Sequence, residues 1–229
     1  MTRIGIGAAL LYAVAVVPAC GGPPHGHGHD APPQGHHGHH AFRDPAEWAK
    51  RFDDPARDEW QKPDAVIGHL RLSSNSKVAD IGAGTGYFVV RLAPQVPVGK
   101  VYAVDIEASM VEHTVERARG MGFQNVAGVV ATATDAALPE PVDVVLLVNT
   151  YHHIEGREAY FRKLRNSVLP GGRVVLVEYK KDPDVPGAPM EMRLTPETVI
   201  EEMAAAGYRL ATRSEGALPR QYILIFEGA

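Results

Sequence analysis

The stretch "KVADIGAGTGYFVVRL", Lys77 to Leu92, reads as a strand, a glycine-rich turn and the start of a helix. Gly82, Gly84 and Gly86 alternate as G-x-G-x-G, whereas the dinucleotide fingerprint runs G-x-G-x-x-G and uses its last glycine for close helix-to-strand packing. Tyr87 stands where that last glycine would be. Asp80, inside the end of the strand, would accept hydrogen bonds but repel a pyrophosphate approaching the helix terminus. The turn therefore favours a ligand with an ammonium group over one with a pyrophosphate.

Outward from this turn, strands and helices alternate. Strands are expected near 77–82, 100–105, 126–131, 143–149 and 172–178, with helices near 86–94, 108–119 and 157–167, the second opened by a capping box from Ser109 to Glu112. Upstream, Asp44-Pro45 and Asp54-Pro55 each place an N-cap carboxylate before a proline, and Pro63 marks a further helix start. Trp48 and Trp60 on these short helices suit either a cover over a binding site or core packing. Downstream, a helix near 196–206 stops at Gly207, and "YRLATRSEG" and "RQYILIFEG" are two strand-like runs too closely joined to be parallel. The fold class is α/β: a Rossmann-like, doubly wound, mostly parallel sheet with helices on both faces, ending in an antiparallel hairpin.

The motif "ADIGAGTGY" resembles the first motif of class I S-adenosylmethionine-dependent methyltransferases, and the likeness runs from about Pro63 to Glu227. "VDVVLLVNTYHHI" is similar to the family's fourth strand, and "LPGGRVVLVEY" to the turn before its fifth. The resemblance implies S-adenosylmethionine as cofactor, held by Asp80, Gly82, Gly84, Gly86, Asp105, Ile106, Asp135 and Asn149. In that likeness Asp105 takes both ribose hydroxyls and Asp135 lies near the adenine amino group. Methyl transfer is an in-line displacement, so alignment of donor and acceptor supplies much of the acceleration, and a protonated acceptor adds the need for a base. His152 and His153, just after the fourth strand, are the candidate bases, with His153 slightly favoured; Glu178 and Tyr179 end the fifth strand on the same rim. No metal is expected in catalysis.

The formal charge of -4 comes from acids and bases scattered along the chain, without the basic stripe of a nucleic-acid binder. "NTYH" also lacks the Asn-Pro-Pro-Tyr pattern common in nucleic-acid amino-methyltransferases, so the acceptor is expected to be a small molecule. One cysteine excludes an intramolecular disulfide and an arsenite-type multi-thiol site.

"MTRIGIGAALLYAVAVVPAC" carries Arg3, an uncharged run and then Cys20 after the small Ala19, which resembles a bacterial lipoprotein signal. The run is shorter than the ~20 apolar residues of a spanning helix. "GGPPHGHGHDAPPQGHHGHH", Gly21 to His40, has nothing to form a core and reads as a tether able to chelate metal through its histidines. The expected organisation is a signal over 1–20, a His/Gly/Pro-rich tether over 21–42 and a methyltransferase domain over 43–229. It implies a lipid-anchored protein outside the cytoplasm, or a cytoplasmic one if the signal is unused. Oligomeric state is not encoded legibly. Two rival readings remain: an exported, non-catalytic metal- or ligand-binding lipoprotein on the same fold, and a dinucleotide oxidoreductase, against which Tyr87 and Asp80 both count.

Overall fold

The computed structural model describes residues 44–228. The signal-like segment with Cys20, the His-rich tether and the terminal Ala229 lie outside the described residues.

Strands β1 (Lys77–Ile81), β2 (Lys100–Asp105), β3 (Val126–Val130), β4 (Val142–Val148), β5 (Val168–Tyr179), β6 (Tyr208–Ser214) and β7 (Gln221–Gly228) form one sheet in the order β3-β2-β1-β4-β5-β7-β6. The first five are parallel. β7 inserts antiparallel between β5 and β6. The central strand β4, "VDVVLLV", buries every residue but Asp143, as a strand covered on both faces must. Asp143 instead accepts a hydrogen bond from the Lys77 backbone N–H at 2.7 Å, tying the entry ends of β4 and β1 together.

Two apolar layers flank the sheet. One gathers Val78, Ala103, Leu146 and Val177 against α3 (Pro63–Leu70) and α4 (Val89–Leu92). The other gathers Ala79, Val104, Leu147 and Leu176 against α6 (Arg157–Leu164) and α7 (Pro196–Ala205). Alternate residues of each strand thus feed opposite layers, which is the period of two expected of a strand. Helix α5 (Ala108–Gly120) packs on β2 and β3. Among the described residues no helix is long and apolar enough to cross a membrane.

Because the sheet grows outward in both directions from β1 and β4, the loops leaving these neighbours diverge and open a crevice at their carboxyl ends. The loops touch across it: a Cβ on Gly82 would overlap the Thr150 side chain, so only glycine fits there.

Three local expectations change. Helix α4 starts only at Val89, because Gly82, Gly84 and Gly86 all take positive φ (77°, 53° and 86°), which a right-handed helix excludes. No Ser109–Glu112 capping box forms. The N-cap is Glu107, and the side chain of Asp105 accepts its backbone N–H at 3.1 Å, stabilising this helix end from the preceding strand. Asp44 caps α1 (Pro45–Phe52) through bonds from Ala46 N and Glu47 N, as read, whereas Asp54 caps only the turn before α2 (Arg57–Gln61).

Candidate functional site

At the exit of β1 the glycine turn wraps Asp80, Asp105 and helix α1. Asp105 Oδ2 accepts the Gly84 N–H at 2.9 Å, so the acid ending β2 holds the turn open in its left-handed form. Burial pushes this carboxyl up, against the pull of backbone N–H groups from Glu107, Gly84 and Ile106. Ile106 follows it with half its surface exposed, an apolar side chain left beside a carboxylate. Gly86 abuts α5, where an added Cβ would sit 2.7 Å from Thr114 Cγ2, and a Cβ added at Gly84 would meet the Phe52 ring of α1 at 3.6 Å.

Asp80 is buried, and its carboxyl makes no hydrogen bond among the described residues. Burial pushes its pKa up to about 7, opposed by the charge of Arg57 and reinforced by that of Asp105. Arg57, from α2, stacks 3.8 Å over the Tyr87 ring and donates to the Phe52 carbonyl at 2.8 Å and to Gln61 Oε1. Its own pKa is lowered by burial. A buried acid thus ends the strand within electrostatic reach of a guanidinium that Tyr87, Phe52 and Gln61 hold in place. This pair is complementary to an amino acid zwitterion and hostile to a pyrophosphate at the acid. The chemistry of the residues present therefore fits S-adenosylmethionine, with an acid for an ammonium group at Asp80 and a second acid and an exposed apolar side chain at Asp105 and Ile106.

The raised Asp80 pKa has a consequence for stability. The folded chain holds this proton more tightly than the unfolded chain, so the group's contribution is complete below about pH 4 and is lost as pH rises through about 7. Asp80→Asn cannot ionise. Its thermal midpoint should rise relative to that of the parent chain from about pH 5 to about pH 8, by ~2–4 °C for each kcal/mol recovered. A difference that stays flat over this range would assign the proton elsewhere.

At the exit of β4, Tyr151, His152 and His153 form a single helical turn held from three sides. Glu178, buried at the end of β5, accepts the Tyr151 N–H at 2.8 Å and pairs with His152 Nδ1 at 2.7 Å. Both side chains of this pair are only 4% exposed. Tyr151 donates its hydroxyl to Glu202 of α7 at 2.7 Å, and Arg157 grips the same carboxylate through two nitrogens. His153 is more exposed, with its ring centroid 4.2 Å from that of His152. Loss of water around it and, second, the charge of His152 push its pKa down to about 4, so His153 is neutral near pH 7. The geometry thus favours His152 as the oriented base, reversing the slight preference for His153.

Asn149, at φ 53°, ends a chain of side-chain amides that the sequence did not reveal. Gln61 Nε2 donates to Gln221 Oε1 at 2.6 Å, and Gln221 Nε2 donates to Asn149 Oδ1 at 2.8 Å, with both glutamines fully buried. This chain links α2 through β7 to the end of β4. Arg57 and Gln61, four residues apart on one helix face, were the only local hint. Asp135 is engaged apart from this group: it pairs with Lys163 of α6 at 2.7 Å and accepts Ala137 N–H at 2.9 Å, which together lower its pKa and make it a turn-stabilising residue in this structure. Trp60 stacks on Tyr179, ring centroids 6.0 Å apart, and Trp48 stacks on Phe52, both tryptophans half-buried. Among the described residues no group of three His, Cys, Asp or Glu is placed to hold a metal ion.

Residues 78–172 match a family model described as a methyltransferase domain. The chain is 31% identical over 123 residues to phosphoethanolamine N-methyltransferase 1 of Arabidopsis thaliana, covering 53% of this chain and 25% of that protein. It is also 31% identical over 120 residues to a ubiquinone/menaquinone biosynthesis C-methyltransferase of Cupriavidus taiwanensis, covering 51% and 48%. The chain thus spans about a quarter to a half of the length of these curated relatives. A solved S-adenosylmethionine-dependent methyltransferase from Aquifex aeolicus superposes with TM-score 0.73 at 26% identity, covering 80% of this chain and 97% of that one.

Proposed function

We infer that this chain, whose residues 78–172 are a methyltransferase domain on the fold of S-adenosylmethionine-dependent methyltransferases, transfers a methyl group from S-adenosylmethionine to a small-molecule acceptor. The observation that carries the reading is the glycine turn at the exit of β1, held in positive φ by Asp105 beside the buried Asp80, which suits a ligand with an ammonium group and opposes a dinucleotide. One curated relative is named as a phosphoethanolamine N-methyltransferase and the other as a C-methyltransferase of ubiquinone/menaquinone biosynthesis, which supports a small-molecule acceptor.

When bound, the sulfonium donor supplies an electrophilic methyl group for in-line displacement. Asp80 would take the donor's ammonium group and Arg57 its carboxylate, while Asp105 would accept from the ribose hydroxyls through lone pairs not used by Gly84 and Glu107. The glycine turn lets backbone approach closely, and Ile106 offers an apolar face to the adenine. Glu178 holds His152 by Nδ1, leaving Nε2 to remove a proton from the acceptor's hydroxyl, thiol or ammonium group. Asn149 is fixed by Gln221, which donates to its Oδ1.

The test is calorimetric titration of the full-length chain with S-adenosylmethionine, its demethylated product and NADH. Saturable binding of the first two supports the reading; their failure to bind refutes it, and an NADH signal would restore the dinucleotide alternative. For the N-terminal segment we keep the reading of an exported protein lipid-anchored at Cys20, with 43–229 as its catalytic domain. Cys20→Ser should release it from the membrane fraction.

A further inference from the structure

Helix α2 carries Arg57 to the glycine turn, yet little in α2 itself holds it there. Its one buried residue is Gln61, and α1 before it buries none. Among the described residues the backbone hydrogen bonds of α1 and α2 stay within these helices and the turns around them, so side chains fix the pair to the sheet. Asp58 accepts from the Tyr87 hydroxyl and from Arg91 at 3.0 Å, and Gln61 reaches inward to Gln221.

The amide chain that starts at Gln61 has one permitted polarity. Arg57 has only donors, so Gln61 must turn its Oε1 to the guanidinium, 3.2 Å from Nη2 and 3.4 Å from Nε. Its Nε2 is thereby committed to Gln221 Oε1 at 2.6 Å, and Gln221 Nε2 to Asn149 Oδ1 at 2.8 Å. Reversing either glutamine would set donor against donor, and both are fully buried, where an unpaired amide is costly. The far end of the chain belongs to the sheet: Gln221 pairs in register with Tyr179, and Asn149 donates its backbone N–H to the Val177 carbonyl at 2.8 Å. Three amides thus connect the rigid sheet to one guanidinium.

That guanidinium keeps the two hydrogens that a carboxylate needs. Of the five N–H groups of an arginine, Gln61 takes one on Nε and one on Nη2, and the Phe52 carbonyl takes one on Nη1 at 2.8 Å. One N–H remains on each terminal nitrogen, the pair that grips a carboxylate at two points. Two contacts place Arg57 beside the glycine turn. It lies 3.8 Å over the ring of Tyr87, which follows Gly86, and it is bonded to Phe52, whose ring a Cβ at Gly84 would meet at 3.6 Å.

We propose that Gln61 and Gln221 are positioning residues of the donor site: the amide chain rooted on Asn149 aligns the Arg57 fork for the donor's carboxylate. This rests on the methyltransferase reading and extends it to two residues that touch no ligand themselves. The test is calorimetric titration of the full-length chain with S-adenosylhomocysteine, the demethylated product, which carries the carboxylate, and with its decarboxylated analogue, which keeps the ammonium group, ribose and adenine. Methionine nearly matches glutamine in volume and has no amide, so Gln221→Met cuts the chain at its centre. It should weaken S-adenosylhomocysteine about tenfold, the size of one charge-assisted contact, and leave the analogue within about twofold of the parent. Gln61→Met should do the same, and it reads the same link where Gln221→Met fails to fold. Arg57→Gln should lose at least as much, and Gln221→Met added to it should cost nothing further, because residues acting through one contact are not additive. Equal weakening of both ligands would give the chain a structural role only, and unchanged S-adenosylhomocysteine affinity in the glutamine variants would detach it from the donor site. Either result overturns the inference while leaving donor binding intact. Parent-like affinity in Arg57→Gln overturns it too, by removing the group that is positioned. If S-adenosylhomocysteine does not bind the parent chain, the methyltransferase reading fails and this inference with it.

Discussion

His152→Ala lowers kcat by about 10²- to 10⁴-fold, the range that a positioned general base contributes, while the affinity for S-adenosylhomocysteine changes little. The expectation follows from geometry: His152 is the histidine whose Nδ1 is held by a buried carboxylate, and that same carboxylate receives the Tyr151 N–H. Glu178→Gln keeps an acceptor for the Tyr151 N–H but loses the charge that steadies a protonated imidazole, so it should lose kcat by a smaller factor with KM nearly constant. His153→Ala should stay within about threefold of the parent chain, because a neutral ring with a low pKa and no carboxylate partner has little to contribute as a base. The rates are read on whichever acceptor the screen yields. Removing His152 leaves Glu178 buried with one bond fewer, at about 1–3 kcal/mol, so thermal midpoints must accompany the rates. Full activity in His152→Ala, or a larger loss in His153→Ala, would move the base away from this pair.

Asp105→Ala should weaken donor and product binding by about 1.5–3 kcal/mol, roughly 10- to 150-fold, if it removes charge-assisted bonds to the ribose. Two contributions mix in that variant, since Asp105 also holds Gly84 N–H and Glu107 N–H. Asp105→Asn separates them: its amide oxygen can still accept from Gly84, while one acceptor becomes a donor. An Asn variant nearly as weak as Ala places the loss in the ribose contact; an Asn variant close to the parent places it in the turn. Calorimetry with S-adenosylhomocysteine reads both. Unchanged affinity in Asp105→Ala would remove this residue from the donor site.

Much of the fold was legible because it is encoded locally. Short, nearly continuous apolar runs between helical segments marked the parallel strands, and "ALP" between two strand-like runs left no room for a crossover, so the closing hairpin had to be antiparallel. The glycines announced a turn, although not how far it would delay the next helix. The capping box did not form because the N-cap is Glu107, whose own N–H the Asp105 side chain accepts, which leaves Ser109 inside the first turn. Asp135 shows the limit of local reading, since it lies after β3 as read while Lys163 on a distant helix engages its carboxyl.

What the sequence determined by itself was the order of elements, the open glycine turn and the acids that end β1 and β2, because propensity and turn chemistry act between residues a few positions apart. Only the tertiary structure decided which of two adjacent histidines is oriented, because Glu178 lies 26 residues away. It alone set Gln61 against Gln221, 160 residues apart, and brought Arg57 over the Tyr87 ring. Those pairings depend on how the crossovers fold the chain back over the carboxyl edge of the sheet, where polar groups removed from water must find one another.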